Sequence, residues 1–131
     1  MKKFNNLSAL FVIFAIILST TGCGRKELSP SQTLRAFYVA ANASRYSEAV
    51  GFLNKTARTL HELSGLLGQD TLDQMSGKGK EIEKISVLEE RMQEKEATVT
   101  IEVRFRDGSV ITRAHPLMKE GGAWKIGRLS F

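Results

Sequence analysis

Two histidines, His61 and His115, one cysteine, Cys23, and two aspartates, Asp70 and Asp73, are the side chains with the most chemical reach in this chain. Nucleophilic hydrolysis needs a nucleophile, a base and a group that orients the base, and Ser64, His61 and Asp70 supply the three types. They lack the sharp strand-to-helix turn that exposes a nucleophile, and nothing around them defines an oxyanion site. A metal centre is no better supported. Neither histidine has a cysteine or carboxylate at ligand spacing, and no HExxH-like pair occurs. Both histidines therefore read as surface or half-buried structural residues. Asp70 and Asp73 become catalytic candidates only if their loop folds over the mouth of the domain. A single cysteine excludes an intramolecular disulfide framework and a multi-cysteine metal site. No catalytic residue, metal or cofactor is expected, and the chain reads as a non-enzyme.

Charge points to a surface rather than to a polymer. The formal net charge is +5 over 131 residues; removing Lys2 and Lys3 from the 19 basic residues leaves 17 against 14 acidic ones. Both signs are interspersed, and no basic stripe suited to nucleic acid appears. Arg104 and Arg106 share the polar side of one strand, and Arg113 is expected on the same side of its hairpin partner. Together they form a candidate patch for an anionic surface, against the plainer reading of charge that keeps an outer sheet face wet. Tyr38 and Trp124 sit at apolar periodic positions but carry a polar handle, which makes them the candidate pocket-lining aromatics.

The elements that must position these groups begin after an address. Residues 1–22, MKKFNNLSALFVIFAIILSTTG, have a basic start and an apolar run from Ala9 to Leu18. That run is too short for the roughly 20 residues of a spanning helix, so it reads as an export signal. Leu18-Ser19-Thr20-Thr21-Gly22-Cys23 resembles a bacterial lipoprotein signal, in which the cysteine is lipidated and becomes the first mature residue. Thr20 departs from the usual aliphatic residue. The resemblance implies a lipid-anchored (palmitate-bearing) protein of the bacterial cell envelope, on the outer membrane facing the periplasm in a diderm cell. Residues 23–28 then form the lipidated cysteine and a short tether, and 29–131 a single domain.

Within that domain Ser29-Pro30-Ser31-Gln32 carries the signature of a capped helix start, followed by Leu34, Phe37, Tyr38 and Ala41 at helical spacing. A short second helix carries Tyr46, Ala49, Val50 and Leu53. A third, around Thr59 to Leu67, is expected to turn Leu60, Leu63 and Leu67 inward. From Leu67 to Lys80 the periodicity weakens, and the stretch reads as a loop with one helical turn at most. Ala97, Val99, Ile101, Val103 and Phe105 then alternate with polar residues as an amphipathic strand. Asp107-Gly108 turns the chain into a partner strand from Val110 to Leu117. A strand near Ile82 to Met92 and another near Trp124 to Phe131 complete the set, with Pro116 restricted to an edge, a strand end or a bulge. The result is an α+β domain with N-terminal helices on an antiparallel sheet of about four strands.

The opening Ser29-Pro30 through Ala36-Phe37-Tyr38, the stretch Ser44-Arg45-Tyr46-Ser47-Glu48-Ala49, the strand Ala97-Thr98-Val99-Thr100-Ile101 and the ending Gly122-Ala123-Trp124-Lys125-Ile126 resemble the DUF4878 family of small bacterial lipoproteins. The resemblance implies an NTF2-like, cystatin-like cone, in which a curved sheet wraps its helices. It implies no reaction, because that fold serves enzymes, ligand pockets and interaction modules alike. The leading expectation is a membrane-tethered module binding a small apolar ligand or another envelope protein. The alternatives are an NTF2-like isomerase or hydrolase, or a lipoprotein that supports envelope assembly.

Overall fold

A computed structural model describes the chain over residues 27–128. The signal segment, Cys23 and most of the tether lie outside the described residues, as do 129–131. Four helices, α1 (Pro30–Asn42), α2 (Tyr46–Val50), α3 (Lys55–Ser64) and α4 (Leu66–Ser76), precede four strands, β1 (Ile82–Met92), β2 (Glu96–Phe105), β3 (Val110–Glu120) and β4 (Ala123–Ile126).

Helix α1 starts where its sequence demands. The Ser29 hydroxyl accepts from the Gln32 N–H at 3.2 Å and the Gln32 side chain accepts from the Ser29 N–H at 3.0 Å, a reciprocal capping box, with Pro30 in the first turn. Leu34, Phe37, Tyr38 and Ala41 fall on one stripe and are fully buried. Burying a side chain the size of Leu or Phe stabilises the fold by about 1.5–3 kcal/mol, so this stripe fixes the helix on the sheet. Beyond Ala43 the chain reverses through Ser44 at φ 61° into α2.

The segment expected to be a loop is helical. α4 runs for 11 residues and buries Leu72 and Met75, an apolar pair at i and i+3 hidden among Gly68, Asp70 and Asp73. Its end is held from outside: the Asn42 side-chain amide donates to the carbonyls of Ser76, Gly77 and Lys80 at 3.0, 3.2 and 3.0 Å. Gly77 closes the helix at φ 66°, and a Cβ there would lie 2.3 Å from the Phe105 ring. Only glycine fits both the left-handed backbone and that contact.

Helix α3 also differs from expectation. Asn54 caps it, its Oδ1 accepting from the Ala57 N–H at 2.8 Å. Its inward face carries Ala57 and the ring of His61. Leu60 and Leu63, expected inside, are 61% and 81% exposed. Ala57 and His61 are spaced i and i+4 and set the inward side, which turns the two leucines away from it.

The sheet is a meander in the order β1-β2-β3-β4, every neighbouring pair antiparallel. Ala97, Val99, Ile101, Val103 and Phe105 form its inner face at 5% exposure or less, and α1 packs across them. The expected cone is corrected here. The sheet is neither closed nor strongly curled: β1 and β4 are its two edges and do not pair with each other, and closure would need a longer run of tilted strands. β4 has only four residues and meets a single bridge from Leu53 to Ile126. β1 is shifted in register between Ile82 and Lys84 and between Val87 and Glu89, and its second half is exposed. These irregularities and its charges limit edge-to-edge pairing.

Pro116 sits within β3, opposite Thr98. Its carbonyl accepts from the Gly127 N–H at 2.8 Å, so its nitrogen faces the β4 side just past Ile126, where the ladder has ended and no donor is required.

Candidate functional site

The register places His115 where the sequence reading did not. It pairs with Val99, so its side chain points to the inner face with Leu117, and it is fully buried rather than half-exposed. Tyr38 comes down from α1 to meet it. The Tyr38 hydroxyl lies 2.7 Å from His115 Nε2, with the rings edge to face at 5.7 Å. Burial, opposed in part by the Arg128 backbone and helped by the nearby Arg113 charge, lowers the His115 pKa to about 4. The ring is therefore neutral at pH 7. Burial also raises the Tyr38 phenol above its ordinary range, with Arg113 pulling weakly the other way. The phenol and Nε2 share one hydrogen bond, whose donor depends on the tautomer of the neutral imidazole. His115 Nδ1 is buried and meets no partner at hydrogen-bond geometry among the described residues.

Arg113 belongs to this face as well. It pairs with the buried Ile101, whereas Arg104 stands on the other side of β2 and is opposite Val110. The expected patch of Arg104, Arg106 and Arg113 is thus divided between two faces. Arg104 has Glu102 at 3.5 Å and Arg106 has Glu81 at 3.2 Å, a half-exposed and an exposed pair that soften the positive charge of the outer face.

Above the buried pair, on the side of residues 127–128, α3 and α4 frame a cleft of about 320 Å³. Thr56, Ala57, Leu60, His61 and Ser64 come from α3, Gly68 and Thr71 from α4, and Gly127 and Arg128 from the chain after β4. The helices approach closely because residue 68 is glycine: a Cβ there would stand 2.8 Å from both His61 Nδ1 and the His61 carbonyl. His61 Nδ1 is itself buried without a hydrogen-bond partner among the described residues. The cleft offers apolar wall from Ala57 and Leu60 and hydroxyls from Thr56, Ser64 and Thr71, a composition suited to a small ligand with one polar end.

The other candidates are dispersed. Tyr38 lines no cleft, because its whole side chain is in the core. Trp124 is 6% exposed, lies beneath the Lys119 ammonium at 5.5 Å, and borders a groove of about 500 Å³ with Leu28, Phe52 and Lys125. Asp73 accepts from the Tyr46 hydroxyl at 2.6 Å and pairs with Lys78 at 3.3 Å, which ties α4 to α2. Those two partners, Tyr46 first, raise the Lys78 pKa. Asp70 is exposed on α4, and Ser64 donates to the Leu60 carbonyl at 2.7 Å, so His61, Ser64 and Asp70 make no triad. Cys23 lies outside the described residues.

Sequence reasoning missed the Tyr38–His115 pair and the close approach at Gly68. The signal for the first lay in parity, since the hairpin at Asp107-Gly108 puts His115 in step with the buried residues of β2. The second had no local signal.

The profile of the family described as Domain of unknown function (DUF4878) matches residues 21–127. The chain belongs to the DUF4878 family. No curated protein matches it. Among solved structures, this DUF4878 domain is similar to a putative NTF2-like transpeptidase from Campylobacter jejuni, with TM-score 0.63 and 11% identity over 76% of this chain and 99% of that one. It is also similar to a SEC-C motif containing protein from Rhodopseudomonas palustris, with TM-score 0.57 and 19% identity over 76% of each chain. At such identities the likeness is one of fold: a distant relation to NTF2-like folds in the helix-on-sheet layout, without the closed curl.

Proposed function

We propose that this protein is a membrane-tethered, non-enzymatic binding domain of the bacterial envelope, anchored through a lipid on Cys23, whose α3–α4 cleft takes a small amphiphile. The address MKKFNN…TTGC supports the anchor. The observation that carries the binding reading is the cleft itself, where Ala57 and Leu60 offer apolar wall beside the unpartnered His61 Nδ1. A small apolar body with a single donor at its end would complete both. An enzymatic reading finds no comparable support, because the Tyr38–His115 pair is sealed in the core, away from the cleft lining.

Photolabelling with a medium-chain alcohol carrying a diazirine, whose hydroxyl supplies the donor, tests this. Label on the full chain should map to peptides containing residues 56–71 and fall at least several-fold in Thr71→Trp, which fills the cleft from a half-exposed position. Label spread evenly over the chain, or unchanged in Thr71→Trp, would remove the cleft from the account.

A further inference from the structure

Leu60 and Leu63 stand one turn apart on the outward side of α3, 61% and 81% exposed, with Thr56 and Thr59 beside them. They are among the most exposed large apolar side chains described, Leu60 standing at the rim of the α3–α4 cleft. We propose that this face of α3 docks on the lipid surface to which the chain is tethered, so that the domain lies on the bilayer with α3 against it. The inference rests on the anchor at Cys23.

The position of the tether favours a bilayer as the occupant. Glu27, the first described residue, is held by Lys119 at 3.2 Å, and the next residue on β3, Glu120, accepts from the N–H of Lys55, where α3 begins, at 3.1 Å. The tether and α3 thus leave the same hairpin. Only Gly24, Arg25 and Lys26 separate Glu27 from the anchor, and at ~3.3–3.6 Å per residue they hold that hairpin within roughly 15 Å of the lipid. From Lys55, Leu60 and Leu63 lie about 8 and 12 Å along the helix, at 1.5 Å per residue.

The size of the patch argues in the same direction. A stable protein interface covers about 800 Å² per partner, far more than two leucines flanked by threonines and Glu62 provide, so a second copy of the chain is a poor occupant. A bilayer needs no such area when a lipid anchor already holds the domain at high effective concentration: a weak apolar contact then decides orientation rather than binding. Lys55 and Lys125, near the tether exit, suit anionic headgroups. Leu60 also lines the cleft, so docking sets the cleft mouth beside the lipid.

The test uses the full lipidated chain in vesicles of phosphatidylethanolamine and phosphatidylglycerol containing a lipid with a nitroxide high on its acyl chain. With Cys23 occupied by lipid, Leu63→Cys supplies one thiol for an environment-sensitive fluorophore, and Thr112→Cys, exposed on the outer face of β3, supplies the control. Docking predicts at least threefold stronger quenching at 63 than at 112, with a blue-shifted emission at 63 alone. A chain that floats with the vesicles but is quenched equally, or not at all, at both positions overturns docking and leaves the anchor intact. A chain that does not float overturns the anchor, and docking with it.

Discussion

His115 gives the sharpest residue-scale consequence. Its pKa falls from the ordinary 6.5 to about 4 in the folded protein, because burial beside Tyr38 and near Arg113 disfavours the charged ring. Above pH 6.5 the ring is neutral in both folded and unfolded chains and its contribution is fully present. Between pH 6.5 and 4 the unfolded chain binds the proton and the folded chain does not, so stability falls as pH falls. The loss attributable to this residue is about 3 kcal/mol across that window, at ~1.36 kcal/mol per pKa unit. Urea unfolding of the wild type at pH 7 and pH 4.5 should show the decline, and His115→Gln should flatten it while losing stability at pH 7. An equally steep decline in His115→Gln would transfer the effect to other groups.

At the scale of elements, α4 is the part whose presence depends most on its neighbours. It has no side-chain cap at its start, and its end is completed by Asn42 from α1 and by the left-handed Gly77 against Phe105. Gly77→Ala meets both a positive φ and a ring inside van der Waals distance, so it should cost on the order of 1–3 kcal/mol. Hydrogen exchange would locate the damage. Amides of α4 should lose protection well before those of β2 and β3, whose ladder does not depend on this cap. Uniform loss across the sheet would mean that α4 and the core open together.

For the whole molecule, the arrangement proposed is a packed domain on a leash a few residues long. Cys23→Ala should remove the lipid mass and shift the protein out of the membrane fraction, read by intact-mass measurement and fractionation. The two leucines of α3 are too small a patch to retain it, since even one myristoyl chain binds only reversibly. Unchanged membrane retention of Cys23→Ala would require a different anchor. The open sheet bears on the proposal too: helix α1 fills the inner face, which leaves the α3–α4 cleft at its margin rather than a cavity within a cone.

The sequence by itself determined whatever depends on residues close together in the chain. The box at Ser29 and Gln32, the α1 stripe, the alternation from Ala97 to Phe105 and the turn at Asp107-Gly108 are each a local hydrogen bond or a repeat of one structural period, and the structure contains them all. Tertiary structure alone decided the rest, because contacts between distant residues leave no periodic trace. Tyr38 and His115 are 77 positions apart. The side on which Arg113 falls follows from strand register, and α4 exists because Leu72 and Met75 find a core that its glycines and aspartates do not advertise. The leucines of α3 carry the lesson furthest: a helical repeat reveals that an apolar stripe exists, but which way it faces is set by what the rest of the chain brings to pack against it, and here Ala57 and His61 took the inner side.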